Sequence, residues 1–152
     1  MGLFGKKREL VFLLNLDGVF NPTSRLYEDK ETIKHPWGYW QISQKNVEFL
    51  KHIAKTYKCF WISSWGNESN YLNDALDIKS FKSLFDADIK HKTQEVVDKK
   101  SIVDNILKKY INVILIDTDY TDERIKCVTI NQKYGITDDD RKVILEYIRS
   151  AR

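Results

Sequence analysis

The chain is expected to fold as one α/β domain, a parallel sheet with helices on both faces in three layers. Three observations carry that expectation. Apolar runs of strand length recur at "ELVFLLNL" (9–16), "KCFWISSW" (58–65), "NVILIDTD" (112–119) and "KCVTIN" (126–131). Helical patterns separate most of them, and strands alternating with helices predict a parallel sheet. The first three runs also end in polar residues, where open α/β sheets gather their ligands.

The first run is continuous in apolar residues, as a strand buried on both faces should be. After it, "NPTSRLYEDKETIKHPWGYWQ" (21–41) breaks the alternation and holds both prolines, with His35, Trp37, Tyr39 and Trp40 close together. Irregular stretches of this length in compact domains often carry function. Two readings stand: an aromatic segment overhanging the end of the first strand, or a hairpin packing its aromatics on the sheet edge. Ser43 is a plausible N-cap for a helix carrying Val47, Leu50, Ile53, Ala54 and Tyr57 at helical spacing. A short second helix is expected over residues 67–76. A third starts near Asp98, with Ile102, Val103, Ile106 and Leu107 on one face, and a last starts at Thr137, with Val143, Ile144, Tyr147 and Ile148. No repeat, low-complexity tract or linker divides residues 1–152.

The chain's 152 residues are 42% hydrophobic and 12% aromatic, enough for a substantial core. A net charge of +3 tolerates a phosphorylated partner without announcing a nucleic-acid binder. Cys59 and Cys127 lie in strand-like stretches and read as buried free thiols of a reducing compartment. No apolar segment approaches a membrane span, and "MGLFGKKREL" lacks a signal peptide's apolar region. A cytoplasmic protein is expected. Its oligomeric state is not encoded in any pattern of the sequence.

The polar strand ends are the candidate site. Asn15 and Asp17 end the first strand, Ser63 and Ser64 the second, Asp117 and Asp119 the third, with Asp122 just beyond. In a parallel sheet these ends converge. Acidic strand ends would hold a hard cation such as Mg²⁺ through oxygen, and neighbouring hydroxyls would donate to phosphate oxygens. Lys99 stands at the head of the third helix's apolar stripe and would reach over the strand ends. Lys100 points about a quarter-turn away and is second choice.

These residues resemble a family. "NLDGVFNP", "FWISSWG", Lys99 and "VILIDTDYTDE" look like the four motifs of the haloacid-dehalogenase (HAD) superfamily, in order. The closest similarity is to small HAD phosphatase-like domains associated with RNA-repair proteins, whose last element "YGITDDD" (134–140) matches. The resemblance spans nearly the whole chain. It implies a Rossmann-like HAD fold with a minimal cap and a Mg²⁺-dependent phosphomonoesterase. Position 15 would be the nucleophile and a metal ligand, and Asp17 the general acid and base, giving its carbonyl to the metal. Ser63, with Ser64 beside it, would bind phosphate; Lys99 would neutralise charge; Asp117, with Asp122 as a second acid, would ligate Mg²⁺. The insertion is too short for a helical cap, so the crevice should stay open. The substrate implied is a nucleotide or polynucleotide end, with Trp37, Tyr39 and Trp40 as a rim that stacks on a base.

Asn15 departs from the pattern. A neutral amide is a poor nucleophile and removes a negative charge from the metal site, so turnover through position 15 should be nearly abolished. Either the chain is a natural non-catalytic relative, or an aspartate has been replaced so as to trap a ligand; the intact remainder of the motif set favours the second. The rival functional class is a non-catalytic module holding a phospho-ligand or a protein.

Other features have plainer readings. "TDDD" (137–140) reads as a helix cap, Thr137 at the N-cap and acids favoured by the dipole, rather than a metal cluster. His52 and the Lys90–Lys92 and Lys108–Lys109 runs read as solvated faces, and His35 as structural.

Overall fold

The computed structural model describes residues 5–24, 29–84 and 98–151. Strands β1 (Lys7–Leu14), β4 (Lys58–Trp61), β5 (Tyr110–Asp117) and β6 (Lys126–Thr129) form one parallel sheet in the order β4-β1-β5-β6. The two central strands carry the most apolar runs, as burial on both faces requires. Side chains of a strand alternate between faces, and β1 divides accordingly. Phe12 and Leu14 join one core with Val47, Leu50, Ile53 and Ile144. Val11 and Leu13 join a second with Val103 and Ile106. The result is an α/β structure of Rossmann-like architecture.

The first core is covered by α1 (Gln44–Thr56), α2 (Asn70–Ala75), α4 (Asp138–Ser150) and the hairpin of β2 (Lys30–His35) with β3 (Gly38–Ser43). The second is covered by α3 (Lys99–Leu107). The caps follow the sequence. Ser43 accepts from the Asn46 N–H, and Asp98 accepts from Ser101 N–H. Thr137 and Asp140 make a reciprocal capping box, so "TDDD" is a helix start.

Two expectations need adjustment, one pair of alternatives is decided and one connection is unusual. The second helix divides into a 3₁₀ turn (Gly66–Ser69) and α2. On α4 only Ile144 is buried, and Val143 lies outside the stripe, exposed. The aromatic insertion is an antiparallel hairpin against the first core, with residues 25–28 outside the described part. No helix links β5 to β6: residues 118–125 make turns only, although adjacent parallel strands usually need a longer crossover. An ion-pair network holds that tight link. Arg124 bonds both oxygens of Asp122 and reaches Asp104 on α3 at 2.6 Å.

Cys59 and Cys127 are both free thiols; burial pushes Cys59 up to about 12. His52 is exposed on α1. The Lys90–Lys92 run lies outside the described residues. Among the described residues no helix is long and apolar enough to cross a membrane.

Candidate functional site at the carboxyl ends of the strands

Backbone pairing brings three strand ends together. The Asn15 N–H donates to the Ile116 carbonyl and the Ile62 N–H to the Leu14 carbonyl, which sets Asn15 between Asp117 and the Ser63 turn. The chain then turns sharply at Gly18, whose φ of +79° suits glycine. A Cβ there would lie 2.7 Å from the Thr118 methyl and 2.8 Å from Gln132 Cβ. The turn therefore packs flush against the end of β5, which no larger residue allows.

Asp117 is the centre of the site. It is 1% exposed, and both its oxygens are engaged. Oδ2 accepts from Lys99 Nζ at 2.6 Å, while Oδ1 accepts from the Thr118 N–H at 2.7 Å and Asn15 Nδ2 at 2.9 Å. A buried carboxylate needs such pairing, because desolvation would otherwise penalise its charge heavily. Lys99 also bonds Asp119, an exposed carboxylate, at 3.3 Å. Lys100 is exposed and bonds none of these groups; of the two lysines, Lys99 faces the site.

Asp17 is exposed and held from two sides. Its Oδ2 accepts from the Trp65 indole N–H at 2.7 Å and its Oδ1 from Asn21 Nδ2 at 3.3 Å. Asn21 in turn accepts from the Gln41 N–H, tying β3 to the acid. Trp65 and Asn21 are site residues that sequence reasoning gave no role. For Trp65 the signal was its place in the motif "FWISSWG", two residues past Ser63. Asn21 had its place inside the first motif, "NLDGVFNP", as its only signal.

The hydroxyls separate. Ser63 is fully buried and its oxygen accepts from the Trp65 N–H, so it shapes the turn that aims Trp65. Ser64 is exposed to solvent.

The expected rim divides in the same way. Trp37 is 61% exposed with its ring 6.2 Å from that of Trp65, and thus belongs beside Asp17. Trp40 is corrected: at 1% exposure it is a core residue, 4.4 Å from the His35 ring. Strand alternation explains this, since Trp40 shares the inward face with Ile42, while Tyr39 lies on the outer face and is exposed. His35 packs tilted against Trp40 and edge-on against Trp65, and its Nδ1 accepts from the Trp37 N–H, a structural setting.

Asp122, expected as a second metal acid, is committed elsewhere. Its side chain bonds Arg124 and Tyr120, and the guanidinium holds it well below the usual carboxylate range. Burial and the bond to Asp122 push the Tyr120 phenol up. This network braces the β5–β6 link.

The oxygens present do not suit a hard cation while Asn15 stands at position 15. Asn15 Nδ2 points at Asp117 Oδ1 and, at 3.3 Å, at the Asp17 carbonyl; its Oδ1 accepts from the Leu16 N–H. Two of the oxygens that would ligate Mg²⁺ are thus already served by an amide donor. Reversing the amide would set its oxygen against two acceptors, which fixes its orientation. No group of three or more metal-binding side chains occurs among the described residues. Lys99 joins Asp117 to Asp119, the Asn15 amide joins Asp117 to the Asp17 carbonyl, and the Asp17 carboxylate is held separately by Trp65 and Asn21.

Comparison with protein-family models, curated proteins and solved structures gives no match.

Proposed function

We propose that this chain is a HAD-type phosphomonoester domain whose chemical step is arrested at Asn15. The observation that carries the reading is the 2.9 Å bond from Asn15 Nδ2 to Asp117, which shares its carboxylate with Lys99. An aspartate at position 15 would meet Asp117 and the Asp17 carbonyl through oxygen, a set that asks for a divalent cation between them. Mg²⁺ bound there would neutralise charge on the nucleophile and the phosphoryl oxygens. Lys99 is already placed to share that task, and phosphoryl transfer asks mainly for positioning and charge stabilisation.

The reaction such a centre would run follows from its residues. A carboxylate oxygen at position 15 attacks phosphorus, and the ester oxygen leaves with a proton from Asp17. Asp17 then takes a proton from the water that hydrolyses the aspartyl-phosphate. The Trp65 N–H holds Asp17 in place for both steps. Trp37, exposed beside Trp65, suits a substrate with a base next to its phosphate, such as a nucleotide or a polynucleotide end. The free thiols suit a cytoplasmic setting.

The test is Asn15→Asp, assayed on an aryl phosphate and on 3′- and 5′-phosphorylated oligonucleotides with and without chelator. The expected outcome is Mg²⁺-dependent hydrolysis at least tens-fold above the parent chain, each tenfold representing about 1.4 kcal/mol of barrier. Asp17→Asn in that background should abolish the gain. A folded Asn15→Asp protein that binds Mg²⁺ and hydrolyses none of them would favour the second reading, a module that holds a phospho-ligand without turnover. The self-satisfied Asn15 amide is the observation on that reading's side.

A further inference from the structure

We infer a second binding surface, a lysine-lined groove at the amino-terminal side of the sheet that takes the phosphodiester backbone of single-stranded nucleic acid. Three adjoining hollows form it. The first lies between α3 and the outer edge of β4 and is lined by Lys82, Lys108 and Lys109. The second, sharing Lys82 and Lys109 with it, adds Lys58 and Lys79. The third continues from Lys79 along α1 past Lys51 and Lys55, and contains Asp77, the one carboxylate among the described residues of the three.

The charge is concentrated and unanswered. The whole chain carries a net charge of only +3, yet the described residues lining these hollows include seven lysines against one aspartate. None of the seven enters an ion pair among the described residues, whereas Lys45, Lys99, Arg124 and Arg141 all do. Six of the seven are exposed and Lys51 is half-buried. An anionic polymer would meet their positive charge along the whole stripe.

Two features favour nucleic acid over an acidic peptide. Half-buried rings interleave with the lysines: Tyr57, Phe60 and Phe81 line the central hollow, with Lys58 Nζ 5.7 Å from the Phe60 ring centre. Charge tracking a backbone with aromatic surface for the bases is how single strands are held without sequence preference. The ammonium groups are also lysines throughout, compact point charges that fit phosphate without the paired geometry arginine offers carboxylates.

The groove runs away from the acidic strand ends, from Lys82, whose carbonyl accepts from the Trp61 N–H on the outer edge of β4, to the amino-terminal ends of the strands. It includes Tyr110, the first residue of β5, and Asp117 is the last, a separation of roughly 23 Å at about 3.3 Å per residue. Binding there is therefore independent of Asn15 and of any turnover.

The experiment is fluorescence anisotropy of the full chain with labelled dT and rU oligomers of about 20 nucleotides that carry no terminal phosphate, and with polyglutamate of equal charge. Both nucleic acids should bind, with a log–log salt slope of about −3.5 if about five lysines each meet a phosphate, a roughly hundredfold loss between about 50 and about 200 mM KCl. A preference between dT and rU would tell which polymer the groove suits. The triple variant Lys58→Glu/Lys82→Glu/Lys109→Glu should lose more than about tenfold at the lower salt. Should that variant not fold, Lys58→Gln/Lys82→Gln/Lys109→Gln should lose affinity with a shallower slope. Parent-like binding by a folded triple variant, no binding by the parent, or equal or tighter binding of polyglutamate would each overturn the inference.

Discussion

The two ends of the sheet handle charge in opposite ways. At the carboxyl end, acids are buried or half-fixed and each has named partners: Asp117 with Lys99, Thr118 and Asn15, and Asp17 with Trp65 and Asn21. At the amino-terminal side, lysines are exposed and have no described counter-ion. Local cross-linking fixes geometry, which chemistry on one phosphorus atom needs. Unpaired long side chains give field strength without fixed geometry, which suits a flexible polyanion. One domain thus carries a preorganised point site and a diffuse electrostatic surface, joined by the length of β5.

The sharpest way to break that contrast is to remove a partner at each end. Lys99→Met leaves Asp117 buried with its Oδ2 unpaired, and destabilisation of about 3 kcal/mol is expected, the lower end for a broken buried pair because Oδ1 keeps two N–H donors. Gln at Lys58, Lys82 and Lys109 should change stability by no more than about 0.5 kcal/mol per site, as exposed unpaired positions do. Urea unfolding of both proteins checks this. Equal losses at the two ends would remove the distinction.

A smaller effect is expected at Trp65. Trp65→Phe keeps most of the ring packing on His35 and Trp40 but deletes the indole donor to Asp17. The expected cost is about 1 kcal/mol, since Asp17 is exposed and water replaces the donor. In the Asn15→Asp background the same change should lower kcat more than it raises KM, because it loosens the acid rather than the substrate contacts. A change confined to KM would mean that Trp65 only shapes the rim.

Much of the carboxyl end was legible in the sequence. Polar residues closing apolar runs place Asn15, Asp17 and Asp117 together once the strands are parallel, and the offset of Lys99 from its stripe aims it correctly. Helix starts at Ser43 and Thr137 were equally readable, because a cap is a local hydrogen bond. What pattern could not supply was partner choice. Asp122 looks like another strand-end acid, and only the fold brings Arg124 and Asp104 onto it. Trp37, Tyr39 and Trp40 look alike in sequence, and only the register of the hairpin sends Trp40 inward. The basic groove was invisible for the same reason: Lys108–Lys109 reads as a solvated pair until α1, β4 and residues 79–82 contribute theirs.

The smallest predicted effect tests whether the carboxyl side is braced by charge as well as by shape. Asp122 titrates well below an ordinary aspartate, first because Arg124 bonds its side chain. A carboxylate depressed on folding adds stability that is complete above its unfolded value of about 3.9 and is lost as pH falls through the lower folded value. Asp122→Asn removes that contribution while keeping the shape. The Tm difference between parent and variant should therefore be constant from neutral pH down to about 4 and close at lower pH. Amide exchange should show the loosening in α3 and the β5–β6 link, because Arg124 joins Asp122 to Asp104. The parts of the groove on α1, β4 and residues 79–82, which the Asp122 network does not touch, should exchange alike in both proteins. A difference that persists undiminished in acid would mean that the link is held by the hydrogen-bonding shape of Asp122 rather than by its charge.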